Sequence, residues 1–563
     1  MIVPAMVQRP LVGHRLIVLA LIATGFLSFG LWVHHMFATG IPQLSLSFFS
    51  AASMAVAIPS GIQVFAWIAT IAAARKFKIR TPMLFVLGFL FIFVLGGLTG
   101  VMVAVVPFNW QTHDTYFIVA HLHYVLFGGM VFPLFAAFYY WAPFVSAKPL
   151  SERLGKWAFW LMFTGFNVAF FPMHVTGLIG MPRRVYTYPE ALGWGPLNMV
   201  STVGAYIIAA GVLVFLLDLA RNFRPTGGNN AGNIWNAGTL EWLPNDNYGV
   251  RSIPIITSNE PLWQQKDLSE DVAAGHYYLP GAPTGGRETI VTSAVDARPQ
   301  YVLQMPGYGW PPLLAAAGTA GFFLSLTVKL ILPALLFAVL AVWMMFKWVW
   351  QTDSAPTAEV DIGGGIRLPT YMSGPSSHSW WAMVVLILVS ASIFGSMLFS
   401  YLFLWTVSPQ VWSTPARLPQ LAWPLASAAL LGASGACIAW AGRSLARNLG
   451  VARRFSWLLP LAIILLIASV AAEILGQQAT GLSPRASAYG ASVYTIASLQ
   501  GFYVVVAAMM AAYAVARARC GLLDARRRNS FDNMKLFWFY TVAQGWTGLA
   551  LVHAFPRLVG SPA

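Results

Sequence analysis

The sequence predicts an all-α, polytopic membrane protein with about 13 transmembrane helices in two bundles. Of its 563 residues, 58% are hydrophobic and only 9% are charged, whereas soluble domains usually carry about 25% charged residues. Apolar segments of the length that spans a bilayer, about 20 residues, recur along most of the chain. Charge this sparse excludes a soluble globular enzyme, and it excludes a disordered or fibrous chain.

Six predicted helices precede a polar stretch and seven follow it. The first six are 15–37, 49–74, 82–106, 115–143, 156–181 and 197–220. The last seven are 311–327, 330–350, 379–406, 422–442, 455–476, 488–516 and 533–555. Between them, 223–310 holds 8 of the 18 acidic residues and no apolar segment. The chain is therefore predicted to consist of a bundle at 1–222, a cytoplasmic linker at 223–310 and a second bundle at 311–563.

Basic loops alternate with loops that lack Lys and Arg, as expected when basic residues stay in the cytoplasm. This pattern accounts for the net charge of +15 without a nucleic-acid partner, and it predicts a cytoplasmic amino terminus and an outer carboxyl terminus. Arg183 and Arg184 are the exception, since they fall on the outer side. A fixed anionic partner would explain them, and contact with lipid phosphate is the alternative. Cys437 and Cys520 are too few for a disulfide framework or a multi-cysteine metal site.

Two histidine pairs lie in or beside apolar helices, where an imidazole is costly unless it has a partner. A single such histidine is more often a hydrogen-bonded structural residue, but two pairs favour metal binding. His121 and His123 would point about 200° apart on one helix, so each could bind a separate iron. His34 and His35 would differ by about 100°, so both could bind one ion if a third ligand came from elsewhere.

These residues resemble subunit I of the haem–copper terminal oxidases. The resemblance covers 1–245 as the second half of that subunit, its seventh to twelfth helices. The segments that carry it are 32–37, 113–124, 180–184 and 236–242. Residues 311–563 resemble subunit III less closely, through 394–403, 489–492 and 537–540. The expected carboxylate of the third subunit III helix is Ala391 here, and Gln500 to Phe502 replace the usual Gly-Leu-His.

The resemblance implies a role for each site residue. His34 and His35 would be two of three ligands of the active-site copper, and His121 would bind the high-spin haem. His123 would be one of two axial ligands of the low-spin haem. The remaining roles are a magnesium or manganese site at His113 and Asp114 and contacts to haem propionates from Arg183 and Arg184. His174 matches an outer position near the haems, or is simply a satisfied histidine.

The implied function is part of the catalytic subunit of a proton-pumping cytochrome c oxidase in a bacterial inner membrane, which reduces O₂ to water. The first six helices of subunit I, which carry further ligands, are not in this sequence. A partner chain or a longer protein would supply them, beside subunit II and cytochrome c. The alternatives are a truncated inactive fragment, a quinol oxidase of the same family and, from another class, a transporter that relays protons through histidines. Gln63 stands where many members have a lysine on a proton path, although Ser60 could still line water.

Overall fold

The computed structural model of this protein is helical in both of its compact units, Met1–Tyr278 and Leu279–Ala563. The structure describes residues 1–74, 77, 79–226, 230–243, 254–277, 288–293, 295–304, 309–352, 358–412, 418–447 and 450–559. Arg75, Lys76 and Lys78, which belong to one of the basic loops, lie outside the described residues. The boundary between the units falls inside the segment predicted as a linker.

The first unit contains twelve α-helices in its described residues. They are α1 Ile2–Val7, α2 His14–Ser28, α3 Gln43–Ala55, α4 Ala57–Ala72, α5 Thr81–Ala104, α6 Val106–Thr112, α7 Tyr116–Leu126, α8 Phe132–Val145, α9 Glu152–Leu178, α10 Gly195–Asn222, α11 Pro261–Gln264 and α12 Leu268–Ala273. A π-helical turn, Phe127–Val131, joins α7 to α8. A 3₁₀ turn, Trp32–Met36, follows α2.

Aromatic side chains fill the core of this unit between α5, α8 and α9. Phe85, Phe132 and Phe166 are fully buried, and the Phe85 and Phe159 rings meet edge to face at 5.2 Å. Helices α9 and α10 approach so closely that a Cβ on Gly204 would lie 2.2 Å from the backbone nitrogen of Ala169. A side chain there would force the helices apart, so glycine is required.

The first part of the predicted linker packs against this unit. The indole nitrogen of Trp235 donates to the Tyr140 carbonyl at 2.7 Å, and that of Trp242 donates to the Tyr140 hydroxyl at 2.9 Å. Both tryptophans are buried. Burial of this much aromatic surface stabilises a segment strongly, so 235–242 belongs to the first unit rather than to a free connection.

In its described residues, the second unit contains the remaining α-helices and two small antiparallel sheets. Strands β1 Glu288–Thr292 and β2 Pro299–Gln304 pair with each other, as do β3 Val360–Asp361 and β4 Arg367–Leu368. The helices are α13 Pro311–Thr327, α14 Ile331–Thr352, α15 His378–Val407, α16 Ala422–Ala446, α17 Val451–Gln478, α18 Ala488–Arg519, α19 Asn529–Leu549 and α20 Phe555–Val559. A second π-helical turn, Ala550–Ala554, lies between α19 and α20.

Eleven helical segments of the described chain are long and apolar enough to cross a membrane. The all-α membrane fold is therefore as predicted, but the predicted number of spanning helices was two higher. The two segments that fall short both form helices. Helix α13 has only 17 residues, and α19 carries Asn529, Asp532 and Lys535 in its first two turns.

Candidate functional site

His34 and His35 lie on the 3₁₀ turn rather than on the regular helix that the sequence predicted. Helix α2 ends at Ser28, and Gly30 follows in the connection. The Nε2 atoms of the two imidazoles are 3.1 Å apart. Nδ1 of His34 is 3.1 Å from the Ser53 hydroxyl on α3. Nδ1 of His34 is thus fixed by Ser53, while the Nε2 atoms of His34 and His35 face each other at hydrogen-bonding distance.

His121 projects from α7 towards α5. Its Nδ1 lies 3.2 Å from the Gly96 carbonyl and 3.1 Å from the Thr99 hydroxyl. These acceptors favour a proton on Nδ1 and leave Nε2 as the nitrogen with a free lone pair, which is how proteins usually orient a metal-binding histidine. A Cβ on Gly100 would lie 3.0 Å from Cε1 of His121, so a glycine at this position leaves room for the ring.

His123 faces a different helix, as the 200° separation predicts. Its Nδ1 lies 2.7 Å from the Val119 carbonyl one turn earlier. Its ring stacks on Phe170 of α9 with a centroid separation of 4.1 Å and an interplanar angle of 16°. Helix α7 therefore presents its two histidines to opposite flanks, and they cannot bind one ion together.

One cavity of about 560 Å³ brings most of the predicted site residues together. Its walls come from α3, α4, α5 and α7 and from the loops at their ends. The predicted residues that line it are His34, His35, His113, Asp114, His121 and Arg183. His123, Arg184 and His174 are not among its lining residues. The cavity is apolar over most of its wall, with the histidines as the main polar groups, which is typical of a cofactor site.

The loop with His113 and Asp114 is joined by hydrogen bonds to the loop with Met181 and Arg183 beside this cavity. These loops carry Asp114 and Arg183, the charged residues of its lining. The Tyr116 amide donates to the Met181 carbonyl at 2.9 Å, and the Arg183 amide donates to the Asp114 carbonyl at 2.8 Å. The guanidinium of Arg183 also forms an ion pair with the Asp114 carboxylate. Asp114 has φ of 57°, a left-handed conformation in which Asp is one of the better-tolerated residues.

Arg183 and Arg184 differ more than the sequence suggested. Nε of Arg183 is buried without a hydrogen-bond partner, and the side chain lines the cavity. A buried guanidinium nitrogen without an acceptor is costly, so an anionic group at this position would fit. Arg184 is exposed and has φ of 68°. His113 lies 3.9 Å from the Asp114 carboxylate, too far for a hydrogen bond.

Two other residues that the sequence singled out, His174 and Gln63, are not among the lining residues of the cavity. His174 is buried, with Nδ1 3.2 Å from the Phe171 carbonyl and Nε2 without a partner. Gln63 is buried and donates to the Thr24 hydroxyl at 3.3 Å. Ser60, one turn before Gln63 on α4, lines the cavity.

Within the described part of the chain, no three His, Cys, Asp or Glu side chains come together as the ligands of one metal ion. The histidine pair thus offers two ligands, and the donor set is compatible with copper or iron only if other ligands are added. Sequence reasoning missed Ser53, Thr99 and Gly100, which position the imidazoles. Gly96, Thr99 and Gly100 are spaced so that they share one face of α5. This spacing is the one sequence signal that could have indicated room for an imidazole ring on that face.

Comparison with known proteins gives a match for the first part of the chain. Residues 1–207 match the family model described as Cytochrome C and Quinol oxidase polypeptide I. Cytochrome c oxidase subunit 1 of Bacillus subtilis is 41% identical over 322 residues, which cover 56% of this chain and 48% of that protein. Quinol oxidase subunit 1 of the same organism is 40% identical over 271 residues, covering 47% of this chain and 42% of that protein.

Cytochrome c oxidase subunit 1 of Synechocystis is also similar, at 44% identity over 265 residues, covering 46% of each protein. The chain thus spans about half the length of the curated relatives that it matches. A solved heme-copper terminal oxidase dimer matches with 18% identity and a TM-score of 0.34, over 44% of this chain and 47% of that chain.

Proposed function

We propose, from the relationship of residues 1–207 to polypeptide I of haem–copper oxidases, that this chain is part of the catalytic subunit of a proton-pumping terminal oxidase. In that enzyme electrons from cytochrome c would reduce O₂ to water. The observation that carries the proposal is the position of His34, His35 and His121 on one cavity of about 560 Å³. A transporter that relays protons would not require three imidazoles to line one cavity of this size.

His34 and His35 would supply two ligands of the active-site copper, and His121 would bind the high-spin haem. When bound, these groups supply the redox chemistry, while the protein supplies ligation, burial and electrostatics. Ser53 holds His34 and Thr99 holds His121, so both rings keep one orientation. The apolar wall around them keeps bulk water away from the reacting groups.

His123 would be an axial ligand of the low-spin haem on the other flank of α7. Its stacking on Phe170 restricts rotation of the ring. Helix α7 would then stand between two redox groups, with one residue, Leu122, between their ligands in sequence. The resemblance implies that another protein residue would also hold this haem.

The outer loops would hold the anionic edge of the haems and a divalent ion. Arg183, with its buried Nε, would pair with a propionate, and Arg184 would make a more exposed contact. His113 and Asp114 would take part in a magnesium or manganese site. Since Asp114 already pairs with Arg183, an ion and the arginine would share that carboxylate.

The relatives leave the electron donor open between cytochrome c and quinol. We propose cytochrome c as the donor because fused I–III chains more often resemble cytochrome c oxidases. The second unit is predicted to resemble subunit III, which would make this chain such a fusion. The working complex would also require subunit II, a chain or segment with helices one to six, and a bacterial inner membrane. A truncated inactive fragment remains the competing hypothesis.

Proton pumping would require a path that carries protons to the cavity. Moving one charge across the membrane costs about 2.3 kcal/mol per 100 mV of membrane potential. Gln63 can hydrogen-bond water but cannot carry charge. Its bond to Thr24 and the position of Ser60 on the cavity wall would allow a water-filled route on α4 without a lysine.

The test is to purify the chain with and without co-expressed partner chains that carry the missing helices and subunit II. We expect two haem signals and copper only in the complete complex, with O₂ consumption from reduced cytochrome c. Replacement of His121 by Ala should remove the high-spin signal and leave the low-spin signal. A complete complex that lacks haem would contradict the proposal. O₂ consumption with quinol as the only effective reductant would show that the electron donor is quinol.

A further inference from the structure

Glu473 and His553 form a buried acid–base pair in the interior of the second unit. His553 Nε2 lies 2.9 Å from Oε1 and 2.8 Å from Oε2 of Glu473. Their side chains are 12% exposed for Glu473 and 4% exposed for His553. Helix α17, which carries Glu473, is one of the segments able to span the membrane. Ionisable groups in such segments are costly and frequently functional.

The geometry of the pair requires a proton between the two side chains. A deprotonated carboxylate and an unprotonated imidazole nitrogen both present lone pairs, and at 2.8 Å they would repel each other. One proton must therefore lie on Nε2 or on the carboxyl group. Gln477 donates a further hydrogen bond from Nε2 to Oε1 of Glu473 at 3.0 Å.

The π-helical turn at Ala550–Ala554 carries His553. Such turns are often found at functional sites, because the extra residue redirects a side chain. The guanidinium of Arg557, itself exposed, donates to the His553 carbonyl at 2.6 Å. Tyr489 of α18 is buried and donates to the Val552 carbonyl at 3.4 Å. Arg557 and Tyr489 are thus the other ionisable groups beside the pair in the described residues.

A small cavity, lined by apolar residues and by five polar ones, adjoins Glu473. Its volume is about 40 Å³, and since one water needs roughly 10–15 Å³ measured in this way, about three waters fit. The polar residues that line it are Ser427, Ser469, Glu473, Gln500 and Gln544.

Gln544 supplies an independent indication of water in this cavity. It is 4% exposed, and its Oε1 is buried without a hydrogen-bond partner. Its Nε2 donates to Oε1 of Gln500 at 3.2 Å. A buried amide oxygen without a donor costs about 1–3 kcal/mol, and a water in the cavity would remove that cost.

We propose that the second unit contains a hydrated proton-binding site, in which Glu473 and His553 hold one exchangeable proton and waters connect Glu473 to Gln544 and Gln500. The ligands are a proton and water. The competing interpretation is a water-free contact that only joins α17 to the π-helical turn Ala550–Ala554. The site is independent of the proposed redox function, because it lies wholly in the other unit.

Infrared spectra recorded during exchange from H₂O to D₂O test the proposal on the full chain in its complex. We expect bands of the pair that shift in D₂O and that are missing from the Glu473→Gln variant. His553→Gln should also alter these bands, because Glu473 then loses the imidazole that faces its carboxyl group. Glu152→Gln serves as the control, because Glu152 accepts from the Thr81 amide and hydroxyl at a helix start.

Two variants of Ser427 distinguish a hydrated site from a water-free contact between Glu473 and His553. Ser427 donates to the Ser469 carbonyl at 2.9 Å, and both Ala and Val remove that bond. Only Val fills the cavity. We expect exchange of the Glu473 signal to slow about tenfold or more in Ser427→Val, because it would then depend on local opening, and to stay near the original rate in Ser427→Ala. Equal rates in the two variants, or a Glu473 signal that never exchanges, would overturn the proposal.

Discussion

The Nε2 atoms of His34 and His35 lie 3.1 Å apart, close to the separation of two nitrogen ligands on one metal ion. Two nitrogens each about 2.0–2.1 Å from an ion lie about 3.3 Å apart at a tetrahedral angle. The two imidazoles on the 3₁₀ turn thus lie at nearly the spacing that a metal requires. Adjacent residues diverge by about 120° around a 3₁₀ helix, so the conformations of the two side chains, rather than the turn itself, bring the nitrogens together.

The hydroxyl of Ser53 should control how tightly the histidine pair binds copper. We expect Ser53→Ala to weaken copper retention about 10- to 100-fold, because His34 loses the group that orients it. Retention against a chelator measures this. Ser60→Ala is the control, since Ser60 lines the same cavity and, among the described residues, forms no hydrogen bond with either histidine. Equal losses in both variants would show that Ser53 does not position His34.

Gly100 should be needed for haem binding at His121, and Gly97 should not. An added methyl group at Gly100 would lie 3.0 Å from the imidazole, whereas one at Gly97 would meet nothing within 4 Å. Overpacking of this kind costs about 1–3 kcal/mol. We expect Gly100→Ala to displace the ring and reduce the high-spin haem signal about tenfold, with Gly97→Ala close to the unchanged protein. A similar spectrum for both variants would contradict this account of α5.

Arg183 and Arg184 should affect the haems unequally. Loss of a positive charge beside a haem makes reduction harder, so Arg183→Gln should lower the midpoint potential by roughly 1 kcal/mol, about 40 mV. Arg184→Gln should have a much smaller effect, because Arg184 is exposed and outside the cavity. Redox titration of the complex measures both. A larger shift for Arg184 would show that the cavity is not the propionate site.

Acid should remove one stabilising interaction from the loop before α19. The Asp524 carboxylate accepts from the backbone amides of Arg526 and Arg527 at 2.8 and 2.9 Å. Partial burial alone would raise the pKa of Asp524, but these hydrogen bonds and the Arg527 guanidinium outweigh it and lower the pKa below its ordinary value of 3.8. The ionised form is therefore the one that stabilises the fold.

The corresponding variant is Asp524→Asn. At neutral pH it should cost no more than about 1 kcal/mol of stability, because the group is partly exposed. The cost should be constant above pH 3.8 and should vanish as the pH falls through the lowered folded pKa of Asp524. Thermal unfolding of both proteins at several pH values measures the difference. A difference that grows in acid would contradict the assignment.

Much of the fold could be predicted because each spanning helix is a local property of about 20 residues. The opposite directions of His121 and His123 could also be predicted, since they depend only on helical geometry. The 3₁₀ turn at His34 and His35 could not, because nothing in an apolar run fixes where an α-helix ends. Its end depends on contacts with α3, such as the bond from His34 to Ser53.

Contacts between distant segments could not be predicted in the second unit either. The sequence drew attention to Ala391, where a carboxylate was expected and is missing. The buried carboxylate is Glu473, whose partner His553 is 80 residues away. A single sequence does not show which two segments of a bundle face each other, so neither residue stood out.

The π-helical turn at Phe127–Val131 has a consequence for how this protein can change over time. A π turn holds one residue more than an α turn, and here it separates the histidines of α7 from the aromatic core residues of α8. Because the wider π turn absorbs its extra residue, α7 and α8 stay nearly in the phase that an uninterrupted α-helix would give them. Deletion of Gly128 or Gly129 would therefore leave His121, His123 and Phe132 on their present faces. Deletion of one residue within the regular part of α7 would instead rotate one half by about 100° against the other, although the helix would still be long enough to span.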